Sequence, residues 1–232
     1  MPADDACHAP PCRRKAASGT TRETSPNVDS TSSPDYCCGY SLACYSKRAL
    51  RTILLQTRSC ATLPESDVTL KTLLIVYHSA TGGTRQMAQA AFDAAATEPG
   101  VRARLLHARD ACAQDVIDSD GYIFATPENL GSMSGMLKDF FDRTYYPVLD
   151  RVNARPYAAM ICAGSDGQGA ARQIGRIALG WRLKAIAPVL IVVTHAQSPE
   201  AILADKHIGQ ADLQRCRDLA GALAGGLALS IF

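Results

Sequence analysis

Residues 73–85 read Leu-Leu-Ile-Val-Tyr-His-Ser-Ala-Thr-Gly-Gly-Thr-Arg, and no other stretch limits the fold of this 232-residue chain so tightly. Residues 73–77 are apolar enough for a strand buried on both faces, and they stop abruptly at small hydroxyl and glycine residues before a helical pattern begins. The connecting Ser79-Ala80-Thr81-Gly82-Gly83-Thr84 places hydroxyls and glycines at a helix N-terminus. Free backbone N–H groups point outward there, the helix dipole favours negative charge, and glycine lets the main chain approach an oxyanion. The segment reads as a phosphate seat.

The same alternation continues down the chain. Met87, Ala88, Ala91, Ala94 and Ala95 give residues 84–96 a helix face that can lie close on a sheet, and Pro99-Gly100 ends it. Residues 101–107 read as a second strand, 111–117 as a short helix and 121–125 as a third strand. A helix docked by Met136, Leu137, Phe140 and Phe141 follows. Residues 157–163 are the fourth strand, and 170–183 a helix with Ile174, Ile177, Ala178 and Trp181 on one side. Residues 189–193 are a fifth strand, placed at the edge by Pro188, which cannot donate to a central ladder. A closing helix spans 211–229. The expected fold is α/β, a doubly wound parallel sheet of five strands in the order 2-1-3-4-5 with helices on both faces. Flavodoxin-like folds are a known instance of that order, with the ligand outside the carboxyl ends of the strands where the order reverses. The rule selects the loops after strands one, three and four.

Ser79 to Thr84, as Ser-x-Thr-Gly-x-Thr, resembles the FMN-phosphate loop of the flavodoxin family. The loop after strand three, Thr126 to Asp139, resembles the Pro-Glu-Tyr-x-Gly-Ser-x-Pro-Gly-x-Leu-Lys motif of NADPH-dependent FMN reductases. Pro127, Glu128, Gly131, Ser132, Gly135, Leu137 and Lys138 match it at the same spacing. Asn129 stands where that motif has tyrosine, on the ring side of the site, and Ser134 where it has proline. After strand four, Gly164-Ser165-Asp166-Gly167-Gln168-Gly169 sets three glycines among polar residues.

The resemblance covers residues 71–193. It implies that Ser79, Ala80, Thr81, Gly82, Gly83 and Thr84 hold the phosphate of FMN. Pro127, Glu128, Asn129, Leu130, Gly131 and Ser132, with Gly164 to Gly169, would hold the ring. It further implies a hydride taken from NAD(P)H and electrons passed to a quinone, flavin or other small-molecule acceptor. The cofactor does that chemistry, so no catalytic side chain is required. A homodimer follows by analogy. If Glu128 and Asp166 aim their charge at the ring, they should lower its reduction potential. The alternative is a flavodoxin-type electron carrier that shuttles electrons between proteins. Such carriers are strongly acidic and use stacking aromatics in the ring loops, whereas this chain is near neutral and its loops lack them. His78 and His195 read as structural, and Arg85 as a possible extra charge at the phosphate seat.

With 24 Lys and Arg against 22 Asp and Glu, the chain lacks the basic excess that nucleic-acid binding demands. The nine cysteines include no Cys-x-x-Cys pair, so zinc lacks its usual spacing and free thiols in a reducing cytoplasm are expected. Its longest uncharged run, residues 219–232, is too short for a membrane helix, and no secretory signal is read at the N-terminus. Residues 1–68 are rich in Ser, Thr, Pro, Cys and Arg and are expected to form a disordered extension before a domain over 69–232. Because all the chemistry lies after residue 68, a translation start near Val68 is a second expectation, which intact-mass measurement on native protein decides.

Overall fold

The computed structural model describes residues 70–232. The expectations for residues 1–68 fall outside the described residues.

Strand β1 (Lys71–Tyr77) lies between β2 (Val101–His107) and β3 (Gly121–Asn129), parallel to both, and β3 pairs in parallel with β5 (Pro156–Ala163). The sheet path runs β2-β1-β3-β5-β6, with β7 (Leu190–Val193) also on β5. β6 (Lys184–Ala185) pairs with the start of β5 and β7 with its end. The fifth strand of the doubly wound order is thus an edge broken into two pieces, and the break contains Pro188, which has no N–H to offer. Flavodoxin-like order is retained, although the described residues hold seven strands rather than five; the remaining addition is the two-residue β4 (Ser132–Met133), antiparallel to the end of β3.

Side chains alternate across the sheet, so each strand feeds two cores. Leu74 and Val76 join Phe124, Ile161, Phe140, Phe141, Ile174 and Trp181 on the face covered by α3 (Gly135–Val148) and α4 (Gln168–Gly180). Leu73 and Ile75 join Ile123, Met160, Met87, Ala88, Ala91, Leu223 and Ala224 on the other, under α1 (Gly83–Ala95) and α6 (Gln210–Ala228). Alanines on the inner faces of α1 and α6 let the helices lie close together. Two short helices, α2 (Ala113–Ile117) and α5 (Pro199–Leu203), complete the order; α5 was not expected from the sequence.

Boundaries moved where a residue type misleads. Strand β3 continues past Ala125 through Pro127, which pairs in register with Cys162 as the last parallel partner, and then turns into a hairpin with β4. Helix α4 begins at Gln168 rather than Ala170 because Gly167, at φ 82°, supplies the left-handed N-cap. It ends at Gly180, and Leu183 packs into the core from the following turn.

Candidate functional site

A cavity of about 440 Å³ opens at the carboxyl ends of the strands. Three of the segments that wall it are the loops the sequence selects. From the first loop come Ser79, Ala80, Thr81 and Thr84, from the second Pro127, Glu128, Asn129, Leu130 and Gly131, and from the third Gly164 and Ser165.

At the first loop, the side chains Ser79 Oγ and Thr84 Oγ1 are buried with no hydrogen-bond partner. Buried hydroxyls without partners are costly, and both residues line the cavity, so a phosphate ester with several acceptor oxygens would satisfy them. Gly83, in the first turn of α1, is packed so tightly that a Cβ there would stand 2.7 Å from Cys162 Sγ and 3.1 Å from Lys206 Cβ. Gly82 adopts φ 82° to turn the chain into the helix. These features suit a phosphate group.

The second and third loops are bolted together by Glu128. Its Oε2 accepts from Gly167 N–H at 2.6 Å and its Oε1 from Ala170 N–H at 3.2 Å, so one carboxylate takes two free donors of the α4 N-terminus. Gln173 Oε1, one turn along α4, accepts from Ser132 Oγ at 2.8 Å and Met133 N–H at 3.0 Å. The expectation that Glu128 projects free charge at a ring is corrected accordingly: it lines the cavity, but its charge faces the helix. Asp166 is exposed, does not line the cavity, and accepts from Gln168 N–H at 3.2 Å. Gly167, Gly169 and Ser132 serve the joint rather than the cavity wall, and Gln168 is exposed at the start of α4.

Ser134, where the resembling motif has proline, is the N-cap of α3: its Oγ accepts from Leu137 N–H at 3.3 Å. Its N–H donates to Thr126 Oγ1 at 3.0 Å, closing the loop onto the strand. At the hairpin tip, Leu130 (φ 52°) and Gly131 (φ 69°) form a two-residue turn with both torsions positive. The Leu130 side chain is fully exposed at the cavity mouth.

Six wall residues were not foreseen: Cys162, Ala163, Thr194, Ala196, Ile202 and Lys206. Four come from the segment after β7, which crosses to the first loop, where Lys206 N–H donates to Thr81 O at 2.8 Å. Gln86 fastens it, donating to Lys206 O at 2.6 Å and accepting from Ile208 N–H at 3.2 Å. The carboxyl-end rule, extended to the fifth strand, was the signal that could have found them. Burial pushes the Cys162 thiol pKa up, against the lowering pull of the Lys206 charge, so it stays protonated. His78 sits behind the loop. Burial, then the charges of His107 and Arg109, lower its pKa. His195, exposed at φ 56°, is not a wall residue, although its neighbours Thr194 and Ala196 are.

An open parallel sheet with reversed order at β1 and β3, and a cavity at the loops of that reversal, define a flavodoxin-like fold. The family model described as NADPH-dependent FMN reductase matches residues 107–198, which includes the second and third loops but not the first. A flavodoxin of Aquifex aeolicus is 30% identical over 97 residues, 42% of this chain and 52% of that protein. An NAD(P)H dehydrogenase (quinone) of Acidithiobacillus ferrooxidans is 30% identical over 92 residues, 31% of this chain and 46% of that protein. The chain thus spans about half the length of the curated relatives it matches. Among solved structures, an archaeal flavodoxin superposes with TM-score 0.56 at 20% identity, covering 67% of this chain and 98% of the flavodoxin. A Streptococcus pneumoniae flavodoxin gives 0.53 at 19%, covering 66% and 97%. The fold is flavodoxin-like, and residues 107–198 are similar to the FMN reductase family model. Among the described residues, no helix is long and apolar enough to cross a membrane.

Proposed function

We propose that the protein is a cytoplasmic FMN-binding oxidoreductase that uses NAD(P)H to reduce a quinone, a flavin or another small acceptor. The observation that carries this reading is the convergence of three loops on one cavity, with two unpartnered buried hydroxyls at one end. Ser79, Thr81 and Thr84, with the N–H groups from Gly82 to Thr84, would hold the phosphate. The Pro127–Gly131 wall and Gly164 would hold the ring through main-chain groups. When bound, FMN would supply the two-electron redox chemistry. The residues orient it and shield one side from water, and no side chain has to move a proton.

A reductase is favoured over an electron carrier because, among the described residues, no aromatic side chain lines the cavity, leaving the ring open to a flat reaction partner rather than sandwiched. The test is anaerobic addition of NADPH, then NADH, to the FMN-loaded protein. Rapid bleaching of the flavin is expected; flavin that stays yellow with both nucleotides means a carrier.

The phosphate assignment has its own check. Thr84→Val keeps the side-chain shape and removes an unpartnered hydroxyl, so stability should hold or rise. Each lost charge-assisted hydrogen bond is worth about 1.5–3 kcal/mol, which lowers FMN affinity about 10- to 100-fold. Riboflavin, which lacks the phosphate, should bind the variant and the parent equally in a fluorescence-quenching titration. Equal loss for both ligands would remove Thr84 from the phosphate seat.

A further inference from the structure

Three large apolar side chains stand exposed around the mouth of the cavity. Leu130, at the tip of the β3–β4 hairpin, lines it from one side and is fully exposed. Ile202 lines it from α5 and is 51% exposed, and Leu203 beside it on that helix is 78% exposed. Single exposed leucines are ordinary, but apolar side chains gathered from two segments at one opening mark a contact surface. Both segments hold them against local preference. Leu130, at φ 52°, is the first residue of a turn that favours asparagine or glycine, so a strained backbone position carries a large side chain in solvent. Helix α5 buries none of its side chains among the described residues and is tied down by polar contacts instead. Ser198 Oγ accepts from Ala201 N–H at 3.2 Å, and the Lys206 ammonium donates to the carbonyls of Ala201, Ile202 and Ala204.

The size of the cavity says where a second ligand can go. About 440 Å³ lies in the lower part of the range for a pocket that takes one ligand of this size class. Bound FMN would use it, and its reaction partner would lie over the ring at the mouth, between the hairpin tip and α5. Charge there does not favour an anion. The charged wall residues are Glu128, turned to the α4 N-terminus, and Lys206, whose ammonium is engaged by three carbonyls. Glu200 of α5, Asp205 just beyond it and Asp166 of the third loop are exposed acids on the same segments. A neutral partner with an apolar substituent therefore fits this rim better than a free flavin phosphate does.

We propose that Leu130, Ile202 and Leu203 select the electron acceptor, a neutral quinone whose apolar side chain lies across the rim. The proposal rests on the reductase reading above and deepens it by choosing among the acceptors that reading leaves open. The quinone takes up two electrons and two protons to become a hydroquinone. Both electrons and one proton originate in NAD(P)H, which ends as NAD(P)+, and the second proton comes from solvent. The three residues are specificity determinants: they touch the substituent and not the reacting ring, so they act on binding of the acceptor rather than on electron transfer.

The test uses full-length protein loaded with FMN and three benzoquinones of the same ring, carrying no, one or two isoprenoid units. With NADPH or NADH as donor, kcat/KM should rise about tenfold along the series, mainly through KM, because only the apolar surface changes. Leu130→Asn should hold or raise stability, since asparagine tolerates positive φ, and Leu203→Gln changes an exposed position. Each should cut the long-to-short ratio of kcat/KM about threefold, and the double variant should bring it close to one. The ratio is taken within one variant, so a general loss of turnover cancels. Calorimetric titration of the oxidised quinones without nucleotide should give the same order of affinities and the same response to the variants. A flat series in the parent, or a ratio that the variants leave intact, overturns the proposal, as does free FMN outperforming every quinone as acceptor. So does a parent dimer that the double variant turns into a monomer in light scattering, for then a second copy of the chain covers the rim. If the protein takes up no FMN, or its flavin stays yellow with both nucleotides, the reductase reading fails instead, and the calorimetric series still decides whether the rim holds the apolar chain.

Discussion

Gly169→Ala is expected to destabilise the domain by about 3 kcal/mol, the upper part of the range for overpacking, and to remove flavin binding. A Cβ at this position would stand 1.9 Å from Gly131 O and 2.6 Å from Gly131 C, with Glu128 Oε1 at 3.1 Å. The obstacle is mostly backbone, so no rotamer change relieves it. Either α4 retreats from the sheet or the β3–β4 hairpin is pushed off the helix, and both move the cavity wall. Gly175→Ala is the internal control, because it lies within the same helix and a Cβ there meets nothing within 4 Å. It should stabilise the protein by about 0.5–1 kcal/mol through helix propensity alone, with flavin affinity intact. Denaturant titrations of both variants, paired with FMN binding, check the contrast. If the two alanines behave alike, the hairpin does not rest on α4 as the structure has it.

How far the sequence carried this architecture depends on what each signal encodes. The alternation of Leu73 and Ile75 against Leu74 and Val76 is invisible in a run that is apolar throughout, yet the run itself demanded burial on both faces, and the two cores deliver it. The glycine-rich loops were legible because only a few residue types permit positive φ and close backbone approach, and Gly82, Gly131 and Gly167 all have positive φ. The roles inside the loops were not legible. Asp166 and Glu128 are both acids in special loops, but one is solvated and the other caps a helix 39 residues away in sequence. Composition carries no record of such a pairing. The segment after β7 was hidden for a related reason: Lys206 and Gln86 meet across 120 residues through a side-chain amide and a backbone carbonyl, and neither residue type advertises the contact.

Glu128→Gln should cost about 2 kcal/mol of stability and weaken FMN and riboflavin by the same factor, about tenfold. The carboxylate accepts two hydrogen bonds from the α4 N-terminus, and bonds to a charged acceptor are worth about 1.5–3 kcal/mol. Glutamine keeps one acceptor oxygen and turns its NH2 against the second N–H, so part of the cap survives. Glu128→Asp keeps the charge but is one methylene short of both donors, so it should do at least as much harm; charge alone is not what the joint needs. The equal loss for riboflavin and FMN follows from position, because the clamp braces the second and third loops and leaves the phosphate loop untouched. Amide hydrogen exchange gives the signature that a general loss of stability would not. The amides of residues 164–170 and those of 129–133 should accelerate together, since Glu128 holds the helix start and Gln173 holds β4 to the same helix. Amides of β1, buried on both faces, should keep their protection relative to the global stability. Acceleration confined to 164–170, or unaltered riboflavin binding, would mean that the two loops are independent and that Glu128 is only a helix cap.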